Sequence, residues 1–468
     1  MPIADLAPEI AVLLTAVAIL LVAMVLPQRL HGWCAVVAIA GLAVAAVFAA
    51  AQFDAMRLTF SGTFALDRAT AWGRLLIVGF TAFAAALGPS WLATDRRHGE
   101  FYAVLLFSAL GAMAMAGASD LMQLVMGVLL ASVSGYILAA YHRDWPISLE
   151  AGMKYFLIGA LSNALLVIGV VFLVGTAVGT DYRILSTGIP SQPLAGAGVA
   201  LVLLGLFFKL GAVPAHTWMP DVAEGAPVPS AAFLTVVPKV GAVIALLRFV
   251  SVVPEEVFPV RTLVAITAAV TMTVGNLTAL WQTDVRRLLG WSSVSQSGYA
   301  LMAVAVAGQA GDAEAALIAF VAVYGVATMT AFAVVAHLRG RTEIAHYAGL
   351  LRVQPFATAV LALALLSLVG IPPLAGFLGK FALFTATIGG GLAWLAIIAV
   401  ANTVISLFYY LRVIAPAVLA RPEGDVATFG KGSLAVVAFS VLALLAITPF
   451  WDPLWNPLWS GLVIRLLP

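Results

Sequence analysis

Residues 205–248 read GLFFKLGAVPAHTWMPDVAEGAPVPSAAFLTVVPKVGAVIALLR. Two lysines, Lys209 and Lys239, sit inside otherwise apolar helical segments. Between them the chain breaks into Pro214, His216, Pro220, Asp221, Glu224, Pro227 and Pro229. In hydrocarbon an ionisable side chain costs roughly 2.5–3.5 kcal/mol on insertion scales, which makes it a functional candidate by default. Irregular backbone at membrane depth persists only where protein or a water-filled cavity satisfies its polar groups. A buried lysine beside a broken helix therefore points to a hydrated ion path, provided the chain lies in a membrane.

Composition meets that condition. Of 468 residues, 63% are hydrophobic and 9% charged. A water-facing surface needs far more charge, since soluble domains carry about 25%. The chain reads as a polytopic membrane protein. Its net charge of +2 is no argument for nucleic acid, because most cations fall in short loops between apolar runs. The single cysteine, Cys34, excludes an intrachain disulfide and a thiolate metal cluster. The opening MPIADLAPEI has acidic residues and no basic region before the first apolar run, so the first helix is expected to remain in the protein.

Apolar runs of spanning length, roughly 20 residues each, recur from end to end. They fall near 10–26, 33–51, 72–91, 101–117, 121–141, 153–178, 194–213, 228–250, 263–281, 291–306, 315–338, 356–388, 392–416 and 433–449. The expected fold is all-α, with about fourteen spans and no soluble domain. The tail WDPLWNPLWSGL, residues 451–462, suits an interfacial anchor. Loops after odd-numbered spans carry Arg29, Arg96, Arg97, Arg143, Lys154, Arg286, Arg287, Arg339, Arg341, Arg352, Arg412, Arg421 and Lys431. The opposite loops carry only Arg57, Arg68, Arg183, Arg248, Arg261 and Arg465. The positive-inside rule places the first set in the cytoplasm and both termini outside.

A second interrupted span, LSLVGIPPLAGFLGKFALF, holds Gly370, Pro372, Pro373, Gly376, Gly379 and Lys380. The two breaks, at Pro214 and at Pro372–Pro373, fall in the seventh and twelfth spans. Broken helices at matching positions of two halves indicate inverted repeats with the path at their interface. A period of five spans predicts repeats over spans four to eight and nine to thirteen. The domains expected are 1–98, 99–251, 252–420 and 421–468.

Seven segments carry a resemblance to a known family. They are EFYAVLLFSALGAMAM from Glu100, YILAAYHRD from Tyr136, EAGMKYFLIGALSNALL from Glu150 and FKLGAVPAHTWMPDVAEGAPVP from Phe208. They continue with PKVGAVIALLR from Pro238, GNLTALWQTDVRRLLGWSSVSQSGY from Gly275 and GIPPLAGFLGKF from Gly370. The chain resembles the antiporter-like subunits of respiratory complex I, most of all the N type. The resemblance implies fourteen helices in two inverted five-helix repeats, with lysines in helices seven, eight and twelve lining a hydrated axis. Here these are Lys209, Lys239 and Lys380. It further implies a proton-translocating subunit without redox chemistry, in the cell membrane of a bacterium. NADH, FMN, iron–sulfur clusters and quinone would belong to partner subunits. The neighbours would be M-type antiporter-like and small K-type hydrophobic subunits. A cation/proton antiporter or membrane-bound hydrogenase of the same superfamily, or a non-pumping scaffold, are the rival readings.

Two positions depart from the family pattern. Leu129 stands where the family's fifth helix carries a glutamate, and Gln296 stands where a histidine is frequent. Lys209 thus lacks its usual counter-charge, and the first half-channel is expected to be impaired or rerouted through Asp120, Glu150 or water. Chemically, burial disfavours the charged form of an amine and a nearby carboxylate restores it, so a row of lysines can transmit a change of charge. The competing reading for Lys209 is snorkelling from a span end, whereas Lys239 lies near a midplane. His216 reads as a structural residue or a relay, and Asp221 with Glu224 as pins for the loop after the break. Asp284 with Arg286 and Arg287 reads as a solvated loop. The sequence contains no GxGxxG, P-loop or cysteine cluster for a redox cofactor, and no metal-ligand spacing.

Overall fold

The computed structural model describes residues 2–422, 428 and 430–447. The tail at 451–462, Arg465 and the last residues of the fourteenth span lie outside this range. The first three spans are α1 (Ala7–Val25), α2 (Gly32–Ala51) and α3 (Arg68–Trp91). They are followed by α4 (His98–Ala116), α5 (Leu121–Ala139), α6 (Pro146–Ala177), the short α7 (Tyr182–Gly188), α8 (Pro193–Leu210), the short α9 (Trp218–Gly225) and α10 (Val228–Val252). The second half holds α11 (Val260–Ala279), α12 (Val285–Ala305), α13 (Ala313–His337), the one-turn α14 (Leu350–Val353), α15 (Pro355–Val369), α16 (Ala375–Gly389) and α17 (Ala393–Leu419). The last described element is α18 (Lys431–Ile447).

Among the described residues, 11 helices are long and apolar enough to cross a membrane unaided. The serine-rich α12, the broken pair α15–α16 and the shorter α18 complete the fourteen spans expected. One element departs from all-α: β1 (Arg57–Thr59) pairs antiparallel with β2 (Phe64–Leu66) in the connection from α2 to α3. Three residues per strand gave no alternation long enough to read as a strand.

The two halves repeat local devices at a spacing of five spans. Asp120 caps α5 by accepting from the N–H groups of Met122 and Gln123, and Asp284 caps α12 by accepting from that of Arg287. An aspartate at this position satisfies donors that a helix start leaves bare. Each capping residue also makes an isolated antiparallel bridge, Asp120 to Asp181 and Asp284 to Glu343. The helix pairs α4–α5 and α11–α12 then pack almost backbone to backbone. A Cβ on Gly127 would lie 2.8 Å from Met115 N, and one on Gly298 would lie 2.6 Å from Met272 N. Small residues permit this approach, which supplies the van der Waals contact that holds helices together in lipid. An odd number of spans per repeat makes the second run through the membrane opposite to the first.

The breaks repeat as well. α8 stops at Gly211 (φ +72°) and α15 at Gly370 (φ +88°), left-handed conformations that glycine adopts without penalty. Gly211 N–H bonds Phe208 O, and Gly370 N–H bonds Ser367 O. α10 occupies the centre of the bundle and is buried along its whole spanning window. It packs against α3, α4, α8, α12 and α13. A helix apolar on every side and enclosed on every side is the setting in which one lysine stands out.

Candidate proton path

Lys239 projects from the middle of α10 and is 2% exposed. Its ammonium has three donors, and each finds a partner on α12: Ser293 O at 2.6 Å, Ser293 Oγ at 2.6 Å and Ser297 Oγ at 2.7 Å. The two serines are one turn apart, so both face α10. Ser297 Oγ lies 2.7 Å from Leu210 O, the last carbonyl of α8. Ser293 Oγ lies 2.8 Å from the hydroxyl of Tyr324 on α13, and Tyr324 donates to Thr235 O at 2.9 Å. Lys239 is thus tied in one direction to the helix end that bears Lys209, and in the other to α13.

Lys380, on α16 just past the second break, is 3% exposed. It donates to Val369 O at 3.0 Å and stands 4.3 Å from the ring centre of Tyr299. A cavity of about 10 Å³ lies beside it, lined by Gln296, Tyr324, Ser367 and Lys380 among others. That is room for about one water. Gln296 donates to Leu368 O at 3.1 Å, and Ser367 Oγ is buried without a protein partner. Tyr324 therefore touches both the Lys239 hydroxyl chain and the Lys380 cavity.

Lys209 differs from both. It is 1% exposed, which removes the snorkelling reading, and its ammonium has no hydrogen-bond partner. Aromatic rings surround it, with Nζ 5.4 Å from the Phe208 ring and 6.0 Å from that of Tyr155. The hydroxyl of Tyr155 and Oδ1 of Asn163 are also buried without a partner. Unpaired buried polar groups in such number call for ordered water. Leu129 lies on the outer side of α5, 37% exposed. Asp120 caps the start of α5 and bridges Asp181, the residue before α7. Glu150 is exposed and pairs with Lys154 at 2.7 Å. Neither carboxylate bonds Lys209.

His216 sits in the first break, its Nδ1 3.3 Å from Pro214 O and its ring 5.6 Å from that of Trp291. Asp221 and Glu224 on α9 both accept from Arg287, at 2.6 and 2.7 Å, and Lys154 approaches Asp221 at 3.3 Å. Arg286 is buried and donates to Ala223 O at 2.9 Å and to Ala226 O. The solvated loop expected around Asp284 is therefore a capped helix start whose arginines grip α9. Arg248 is likewise no loop residue. It lies buried in α10, bonded to both Asp67 oxygens at 2.6 Å.

Sequence reasoning missed Ser293, Ser297, Tyr324 and Ser367. The signal was present: WSSVSQSGY places Ser293, Gln296 and Ser297 on one face of an otherwise apolar span.

Fourteen spans, two broken helices in matching places and three lysines sealed between them define the antiporter-like class of membrane subunits. The chain belongs to the NADH:quinone oxidoreductase/Mrp antiporter transmembrane family, whose model matches residues 118–406. It is 44% identical over 429 residues to NADH-quinone oxidoreductase subunit N 1 of Streptomyces griseus, covering 90% of this chain and 89% of the relative. A chain of respiratory complex I from Thermus thermophilus superposes with a TM-score of 0.83 at 30% identity, covering 97% of this chain and 100% of the other. A chain of the Mrp complex from a Dietzia species superposes with a TM-score of 0.86 at 20% identity over 99% of this chain and 98% of the other, a likeness of fold. Within the family the chain is similar to the N subunits, the kind its motifs indicated.

Proposed function

We propose that this chain is the non-redox, proton-translocating membrane subunit of a respiratory NADH:quinone oxidoreductase. Lys209, Lys239 and Lys380 would carry the charge, and flavin, iron–sulfur clusters and quinone would sit in partner subunits. The observation that supports it is the continuous contact from Leu210 O through Ser297, Lys239, Ser293 and Tyr324 to the Lys380 cavity. Hydroxyls both donate and accept, so they pass a proton between amines without themselves holding charge. In this reading residues 99–251 and 252–420 are the two repeats, and Gln296 fixes the end of α15 beside Lys380. His216, Asp120 and Glu150 serve as local supports. The arginine-rich loops face the cytoplasm of a bacterial cell, and both termini face outward.

A second feature qualifies the first half. Lys209 has a bare ammonium and Leu129 offers no carboxylate, so this half conducts weakly unless water completes it. A Lys209→Ala variant with a lowered proton-to-electron ratio would count against that reading.

The decisive experiment is to isolate the protein from its own membrane in mild detergent. Co-purifying flavin and iron–sulfur subunits with NADH:quinone activity support the proposal. A few small membrane subunits without redox centres would move the chain to a cation/proton antiporter, and hydrogenase subunits would change the electron donor.

A further inference from the structure

A cavity of about 1030 Å³ opens on the side of the bundle where α3, α5 and α13 end. Six arginines line it: Arg96 and Arg97 from the α3–α4 turn, Arg143 from the α5–α6 turn, Arg286 at the start of α12, and Arg339 and Arg341 after α13. Only two carboxylates line it with them, Asp95 and Asp144. Asp95 is already engaged, 3.3 Å from His142 Nδ1 and accepting from the N–H of Arg97 at 2.8 Å. Among the described residues, no ion pair joins Arg96, Arg97 or Arg143 to a carboxylate. Two separate turns thus bring the unpaired charges of Arg96, Arg97 and Arg143 to one hollow, while Arg286 is spent on the α9 carbonyls. Like charges so gathered repel unless an anion joins them.

The rest of the lining is mixed: Ser90, Thr94, His142 and Thr342 stand among aromatic and aliphatic residues. Val228 of α10, Val335 of α13, Trp91 and Trp145 form the apolar part of the wall. Trp91 is held in place by donating through Nε1 to His142 Nε2 at 3.1 Å. Tryptophans of this kind mark headgroup depth. Cations and tryptophans in one cavity suit an amphiphile better than a free ion. Arginine forks match phosphate oxygens in pairs, and basic pockets between membrane helices take anionic headgroups. We propose that this cavity seats the phosphate headgroup of an anionic phospholipid, with the start of its acyl chains against Trp91 and Trp145.

The test uses the intact membrane complex in nanodiscs containing photoactivatable phosphatidylglycerol, with labelled peptides mapped by mass spectrometry. The proposal expects adducts in residues 91–97 and 141–145, well above those from photoactivatable phosphatidylcholine and undiminished by excess inorganic phosphate. An Arg97→Gln/Arg143→Gln variant, changed at positions that are not buried, should lose about tenfold or more of the label, since each cation near a headgroup contributes about fivefold in binding. Equal labelling by the zwitterionic lipid, or labelling unchanged in the variant, would overturn it. Displacement by inorganic phosphate would make it a site for a soluble anion and overturn it too. So would adducts on a neighbouring subunit found filling the hollow.

Discussion

The ammonium of Lys239 lies 2.7 Å from the hydroxyl of Ser297, and that hydroxyl is 2.7 Å from the terminal carbonyl of α8. One serine on α12 therefore joins the central lysine of α10 to the helix end next to Lys209. The joint depends on a single oxygen.

Ser297→Ala removes that oxygen and leaves one donor of a buried ammonium bare, at a cost of about 1–3 kcal/mol. NADH-driven proton uptake into liposomes holding the complex should fall, while electron transfer from NADH to an artificial acceptor stays unchanged. Ser297→Thr keeps the hydroxyl and should keep most of the pumping. Equal pumping by the alanine variant would remove Ser297 from the path.

Gly376 makes the second break possible, because a Cβ there would run into the carbonyl of Ser367. Gly376→Ala should push α16 from α15 and shift Lys380 off Val369 O, lowering proton uptake as strongly as Lys380→Ala does. Gly389→Ala on the same helix meets nothing within 4 Å and serves as the control. A matched loss in both variants would point to helix propensity and against the local clash.

Arg248 and Asp67 form an ion pair whose side chains are both fully buried, joining α10 to the start of α3. Arg248→Met strands the carboxylate and should cost about 3–5 kcal/mol, whereas the double replacement with Asp67→Leu should recover much of it. Thermal unfolding of the membrane domain reads both. A double variant as unstable as the single one would mean that the pair is stabilising in itself.

His142 lies in the turn between α5 and α6, outside the spans. Burial pulls its pKa below the ordinary histidine value, against the opposing pull of Asp95. The unfolded chain takes up this proton near pH 6.5 and the folded turn only at lower pH. Folding therefore gains from rising pH and loses stability as pH falls from the unfolded value through the folded one. Hydrogen exchange in residues 92–97, corrected for its intrinsic rate, should rise on acidification, and His142→Gln should flatten the response. An identical rise in the variant would assign the effect elsewhere.

Much of the frame was legible because the deciding signals are local. Asp120 before an apolar run, Gly211 and Gly370 after one, and Lys239 and Lys380 inside one each declare themselves within a turn or two. What escaped depends on partners remote in sequence. Arg286 finds Ala223 across 63 residues, Arg74 finds Glu9 across 65, and Arg248 finds Asp67 across 181. An arginine near a span end reads as a loop cation until its buried acceptor is known. The same holds for Tyr324, one aromatic in an apolar helix until Ser293 on α12 meets its hydroxyl. Leu129 could be read as a missing carboxylate, but not as a residue on the outer side of α5.

The short helix α9 belongs to the first repeat by order along the chain, yet α12 of the second repeat holds it, through Arg286 on its carbonyls and Arg287 on its carboxylates. The halves are thus riveted across the line that the lysines follow. A carrier that rocks one half against the other would have to shear this joint at each turnover. A conduit whose halves stay fixed, passing protons by turning hydroxyls, would leave the joint intact.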